Sequence, residues 1–101
     1  MTRRAPKIDA NQREIVQALE QLGCSVVSLA GLADGVPDLL VGYHGANYLL
    51  EVKDSAKPPS RRRLTPDQRE FFAAWRGQVA RVETVQEALG VVGVVVEVVS
   101  E

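Results

Sequence analysis

Gly35-Val36-Pro37-Asp38-Leu39-Leu40-Val41 and Tyr48-Leu49-Leu50-Glu51-Val52-Lys53 are two apolar runs separated by a short stretch containing Gly42 and Gly45. Two such runs joined by a Gly-containing turn predict a β-hairpin, with strands near 37–43 and 47–53. Side chains alternate along a strand. Glu51 and Lys53 therefore share one face with Leu49, while Leu50 and Val52 fill the other. Apolar neighbours on both faces predict a central strand rather than an edge. The hairpin brings Asp38 beside the Glu51 and Lys53 pair. Two carboxylates and an ammonium on one sheet face are costly unless a cation or a phosphate compensates them. That cost points to a metal site.

The flanking elements follow from periodicity and punctuation. Asp9-Ala10-Asn11-Gln12 has capping-box spacing and predicts a helix start at Asp9. Ile15, Val16, Leu19 and Leu22 give it an apolar stripe, and Gly23 a stop. Cys24 to Ala30 reads as a strand. The polar stretch from Asp54 to Leu64, with Pro58-Pro59 and Arg61-Arg62-Arg63, reads as a loop and a mobile element. Thr65-Pro66-Asp67-Gln68 opens a second helix, with Thr65 as N-cap and Pro66 at the first helical position. Phe71, Phe72 and Trp75 are its predicted apolar face, and Gly77 its end. A short strand at 78–82 follows, then a helix opened by Thr84-Val85-Gln86-Glu87 and running through Leu89. Residues 91–99, rich in valine, predict a strand that needs a partner. The result is an α/β (α+β) layer of order α-β-β-β-α-β-α with a mixed sheet and an eighth element, a strand, at the end.

At 101 residues the chain predicts one domain over 8–101, preceded by a flexible basic arm over 1–7. That size supports one modest core and leaves no room for a separate recognition domain. No apolar run reaches the ~20 residues of a membrane span, and the basic arm leads into no hydrophobic segment. Cys24 is the single cysteine, which excludes an internal disulfide and predicts a reducing, cytoplasmic setting. With His44 the single histidine, a zinc site of His and Cys is excluded. Oxygen ligands for Mg²⁺ or Mn²⁺ remain. Net charge is −1, against the habit of nucleic-acid binders. Distribution matters more than the sum. Lys57 and Arg61-Arg62-Arg63 cluster near the proposed site, and Arg3, Arg4 and Lys7 lie in the arm.

Pro37-Asp38 followed by Glu51-Val52-Lys53 resembles the PD-(D/E)xK nuclease motif. The wider pattern Gly35-x-Pro37-Asp38, Glu51-x-Lys53 and Leu64-Thr65-Pro66-Asp67-Gln68 resembles the VRR-NUC branch in its stand-alone phage or prophage form, over residues 8–90. The resemblance implies a restriction-endonuclease-like core and a metal-dependent DNA endonuclease. By it, Asp38 and Glu51 bind Mg²⁺ (or Mn²⁺), the Val52 carbonyl is a third ligand, and Glu14 helps hold the metal or its waters. Lys53 orients the attacking water or stabilises charge on the phosphate, and Gln68 borders the site. Arg61, Arg62, Arg63 and Lys57 would grip the DNA backbone. The stand-alone members resemble Holliday-junction resolvases, which implies branched DNA, a homodimer and a phage or bacterial cytoplasmic setting. Paired cuts on a symmetric junction call for two sites related by a two-fold axis. The bland readings are Asp38 as turn chemistry, Glu14 as a solvated helical acid, Gln68 as a capping residue only, the arginines as a solvated loop, and Trp75 with the phenylalanines as core. The alternatives in function are a non-catalytic DNA-binding or assembly module, and a nuclease for nicking or end processing.

Overall fold

The computed structural model describes residues 9–96. The elements run α1 (Ala10–Gln21), β1 (Ser25–Ser28), β2 (Leu39–Tyr43), β3 (Ala46–Val52), α2 (Pro66–Ala74), β4 (Val79–Val82) and α3 (Val85–Val92), with a single 3₁₀ turn at Pro59–Arg61 before α2. The strands form one sheet in the order β1-β2-β3-β4. The first two pairings are antiparallel and β3–β4 is parallel, so the sheet is mixed and β3 is internal. A parallel pair needs a crossover. The loop after β3 and α2 supply it.

Tyr43 pairs with Ala46, leaving a two-residue turn of His44 and Gly45. Both have positive φ, 49° and 79°, as a type I′ turn requires. That turn fixes the register at Leu39↔Leu50 and Leu40↔Leu49. One face of the sheet carries Leu39, Val41, Leu50, Val52 and Val82, which pack with Ile15 and Leu19 of α1 and Ala88 and Val92 of α3 into the core. Burying each of the larger side chains contributes about 1.5–3 kcal/mol. The opposite face carries Leu40, Leu49, Glu51 and Arg81, and α2 meets that side through Gln68 and Lys53.

Several expectations fail here. The strand over 91–99 is absent in its described part. The α3 helix continues past Leu89 to Val92 and stops at Gly93 in the left-handed conformation, with residues 94–96 in no strand. Residues 97–99 lie outside those described, as does the basic arm over 1–7. Valine favours strands only weakly. Here Thr84 caps α3 by accepting from the Glu87 amide, and Ala88 and Val92 are buried against the core. Those tertiary contacts outweigh propensity. The first capping box is also absent: Asp9 is the N-cap residue of α1 but makes no side-chain cap bond. The β1 strand is shorter than 24–30. Finally, α2 ends at Ala74 rather than near Gly77. Trp75 turns extended as its C-cap, 45 % exposed and stacked on Phe71, so it is not core.

Candidate active site

The register places the candidate residues. Leu39↔Leu50 is the last β2–β3 pair, so the next positions outward are Asp38 and Glu51. Glu51 is in turn paired with Arg81 of β4. Asp38, Glu51 and Arg81 thus form one row across the α2 side of the sheet. Pro37, fully buried, and Gly35 lead the chain into that row. Gly35 has φ +85°, and a Cβ there would lie 2.6 Å from the Asp67 carbonyl oxygen. Glycine is needed on both counts, and it seats the first turn of α2 directly against the approach to Asp38.

Asp38 does not simply face solvent as turn chemistry. Its Oδ2 accepts from the Val52 amide at 2.9 Å, a bond that a β2 carbonyl would supply if the ladder continued. Glu51 is 4 % exposed. Burial, then the adjacent Asp38 charge, pushes its carboxyl up to about 7, against the pull of Lys53. The Lys53 ammonium lies 3.6 Å from Glu51 Oε2 and donates to Gln68 Oε1 at 2.8 Å. That Gln68 oxygen also accepts from the Thr65 amide at 2.9 Å, while Thr65 Oγ1 accepts from the Gln68 amide at 3.3 Å. The capping reading of Gln68 therefore holds, and the same oxygen also receives Lys53. One oxygen caps α2 and holds the lysine.

Asp38, Glu51, Lys53 and Gln68 come together from three elements. Glu14 does not join them. It is exposed on α1, while Gln12 and Val16 of that helix face Ser28 and Leu39. Among the described residues no three Asp, Glu, His or Cys side chains gather into a metal-binding group. The candidate ligands are thus two carboxylates and a backbone carbonyl at Val52. Paired carboxylates, one of them buried with a raised pKa, are a donor set that suits a hard divalent cation.

The basic residues divide. Arg62 donates to Glu83 Oε1 at 3.2 Å, and its carbonyl accepts from Arg81 Nε at 2.6 Å. Arg81 also pairs with the other Glu83 oxygen. Those two guanidinium groups, Arg81 first, hold the Glu83 carboxyl below its usual range. Arg62 is therefore a fastener of the loop over the α2 face. Arg61 and Arg63 are exposed beside it, and Lys57 lies 3.9 Å from Asp9. The sequence assigns no site role to Arg81, Glu83 or Asn11. Arg81 alternates with Ala80 and Val82, and this polar position within an apolar strand was the one signal there. Asn11 donates to the Lys53 carbonyl at 2.7 Å, a contact across 42 residues that no local pattern announces.

A solved structure titled "VRR_NUC domain" is similar to this chain at 27 % identity and a TM-score of 0.58, over 81 % of this chain and 89 % of that one. No family model and no curated protein matches the sequence. Among the described residues no helix is long and apolar enough to cross a membrane.

Proposed function

Because the chain belongs to the VRR-NUC family of nucleases, we propose that it is a divalent-metal-dependent endonuclease acting on DNA phosphodiesters. The observation that carries this reading is the Lys53 ammonium, shared between Glu51 at 3.6 Å and Gln68 at 2.8 Å, with the Glu51 carboxyl pushed up to about 7 by burial and then by Asp38. A buried acid held against a second carboxylate costs stability, and stability alone gives no reason to keep the pair. A divalent cation offsets that cost.

Asp38, Glu51 and the Val52 carbonyl would hold Mg²⁺ or Mn²⁺. When bound, such an ion polarises a phosphoryl oxygen and lowers the pKa of a coordinated water. The residues supply the rest. Asp38 and Glu51 lie at adjacent ladder positions, with Asp38 fixed by the Val52 amide. Lys53 is a donor held in place before substrate arrives. It orients the attacking water or stabilises the charge developing on the phosphate, as preorganised donors do. Gln68 sets its direction. Glu14, exposed on α1, would act on the ion only through water. Arg61 and Arg63, with Lys57, are the groups proposed to hold the DNA backbone.

The substrate we infer is branched DNA, cut by a homodimer, in the manner of a phage or bacterial cytoplasmic resolvase. What supports this is economy of surface. A domain of net charge −1 with one site brings few free cations to a large substrate, and two copies double the exposed arginines and the sites. Residues 91–96 supply no strand for that pairing. Cleavage of four-way, flapped and linear DNA with and without Mg²⁺ tests the proposal, together with sedimentation at micromolar concentration. Mg²⁺-dependent cuts favouring the four-way substrate, lost in Lys53→Ala, are expected. A monomer cutting linear duplex equally well would leave a nuclease for nicking or end processing. A protein that binds DNA and never cuts it would be the non-catalytic module instead.

A further inference from the structure

The sheet runs out of backbone partners just where the chemistry is placed. The β2–β3 ladder ends at Leu39↔Leu50 and the β3–β4 ladder at Val52↔Val82. Past those pairs one more backbone bond survives, from the Lys53 amide to the Val82 carbonyl at 2.9 Å. Side chains take over from there. Asp38 receives the Val52 amide. On the other side the Asn11 Nδ2 donates to the Lys53 carbonyl at 2.7 Å and to the Glu83 carbonyl at 3.3 Å. A carboxamide nitrogen has two hydrogens, one for each carbonyl. These two acceptors also fix which way the amide points, because the flipped group would set an oxygen against two oxygens. The remaining atom, Asn11 Oδ1, is buried without a protein partner, so nothing else dictates the orientation.

We propose that Asn11 is a positioning residue for Lys53: it rivets the ends of β3 and β4 together and so sets where the lysine ammonium stands relative to Asp38 and Glu51. The proposal rests on the nuclease reading for its kinetic consequence and on geometry for the rest. Lys53 is held at its amide by β4, at its carbonyl by α1 and at its ammonium by α2. Remove the middle hold and the peptide between Lys53 and Asp54 is the first of a polar loop, free to turn. A displacement of about 1 Å at a reacting group costs on the order of a hundredfold in rate. The rivet is stiff because Ile15, one turn along α1, is 1 % exposed in the core. It also reaches the basic loop. The Glu83 residue whose carbonyl Asn11 holds is the one whose carboxylate binds Arg62 and Arg81. Aspartate in place of Asn11 keeps the shape and loses the donor. Alanine loses both.

The test uses the full chain with Asn11→Asp and Asn11→Ala. With Mg²⁺ and a cleavable DNA, kcat should fall about 10- to 100-fold while KM stays within about threefold. In a Lys53→Ala background the same change should cost nothing further, since the two residues act as a unit. Independently of metal and DNA, amide hydrogen exchange of Lys53, whose N–H is held by Val82, should rise at least about tenfold with Leu50 unmoved, because only the end of the strand is released. Parental exchange at Lys53, a uniform rise that includes Leu50, or a penalty that multiplies with that of Lys53→Ala would overturn the proposal. Should Asn11→Ala fail to fold, Asn11→Asp is read by the same criteria. If the parent protein cuts no DNA, the nuclease reading falls, and the exchange of Lys53 against Leu50 still decides for or against the rivet.

Discussion

Glu51→Gln should make the metal-free protein more stable at pH 8 and should erase a pH dependence that the parent shows. The Glu51 carboxyl is raised from 4.5 to about 7, chiefly by burial and then by Asp38. The native protein therefore keeps that proton up to about pH 7, whereas the unfolded chain releases it near 4.5. Between those values the native state binds more protons, so stability falls as pH rises. The penalty is absent below the lower value and complete above the upper. A displacement of this size corresponds to about 3 kcal/mol at pH 8. Glutamine is the neutral isostere of the protonated acid and avoids the penalty, though it forgoes the 3.6 Å pairing with Lys53. The net gain should be about 1–3 kcal/mol, or roughly 5–15 °C in Tm for a domain this small. Thermal melts of variant and parent from pH 5 to 8.5 in EDTA measure it. The Glu83 carboxyl, held low, loses its contribution only as pH falls below the ordinary carboxylate range, outside this window. Added Mg²⁺ should raise the Tm of the parent and not of the variant. A parent Tm flat across this range, or a variant that melts at or below the parent at pH 8, would refute the argument that the acidic pair is held under strain.

The other outcomes are local. Asp38→Asn should lose Mg²⁺ stabilisation and cleavage at little structural cost, because an amide oxygen still accepts from the Val52 amide; Asp38→Ala leaves that amide unpaired and should cost about 1–3 kcal/mol, read from denaturant melts. Arg61→Ala and Arg63→Ala should each flatten the salt dependence of DNA binding by about 0.7–0.9 in the log–log slope with Tm unchanged, whereas Arg62→Ala should lower Tm by freeing the loop from Glu83. Gly35→Ala should destabilise by more than about 1 kcal/mol, since a Cβ would lie 2.6 Å from the Asp67 carbonyl in a left-handed backbone, and a Tm within a degree of the parent would show that the contact yields easily.

Local rules reached much of this molecule before any tertiary contact was known. Alternation along β3 put Glu51 and Lys53 on one face, and a Gly-containing turn between the two apolar runs brought Asp38 beside them; the structure narrows that turn to His44 and Gly45, both in positive φ. The capping box at Thr65 and Gln68 was legible for the same reason: it is a bond between residues three apart. Such features depend on near neighbours in the chain, and sequence records those directly. The rest depends on residues that meet only after folding. That Gln68 holds Lys53, that Arg62 is a fastener, and that Asn11 ties the ends of β3 and β4 follow from contacts over 15 to 72 residues. The valine-rich end shows the same limit from the other direction. Residues 91–96 have strand propensity, yet α3 extends to Val92 because Val92 and Ala88 find a core face there. Propensity is worth tenths of a kcal/mol per residue, and burial of one side chain is worth several times that, so the tertiary structure decides.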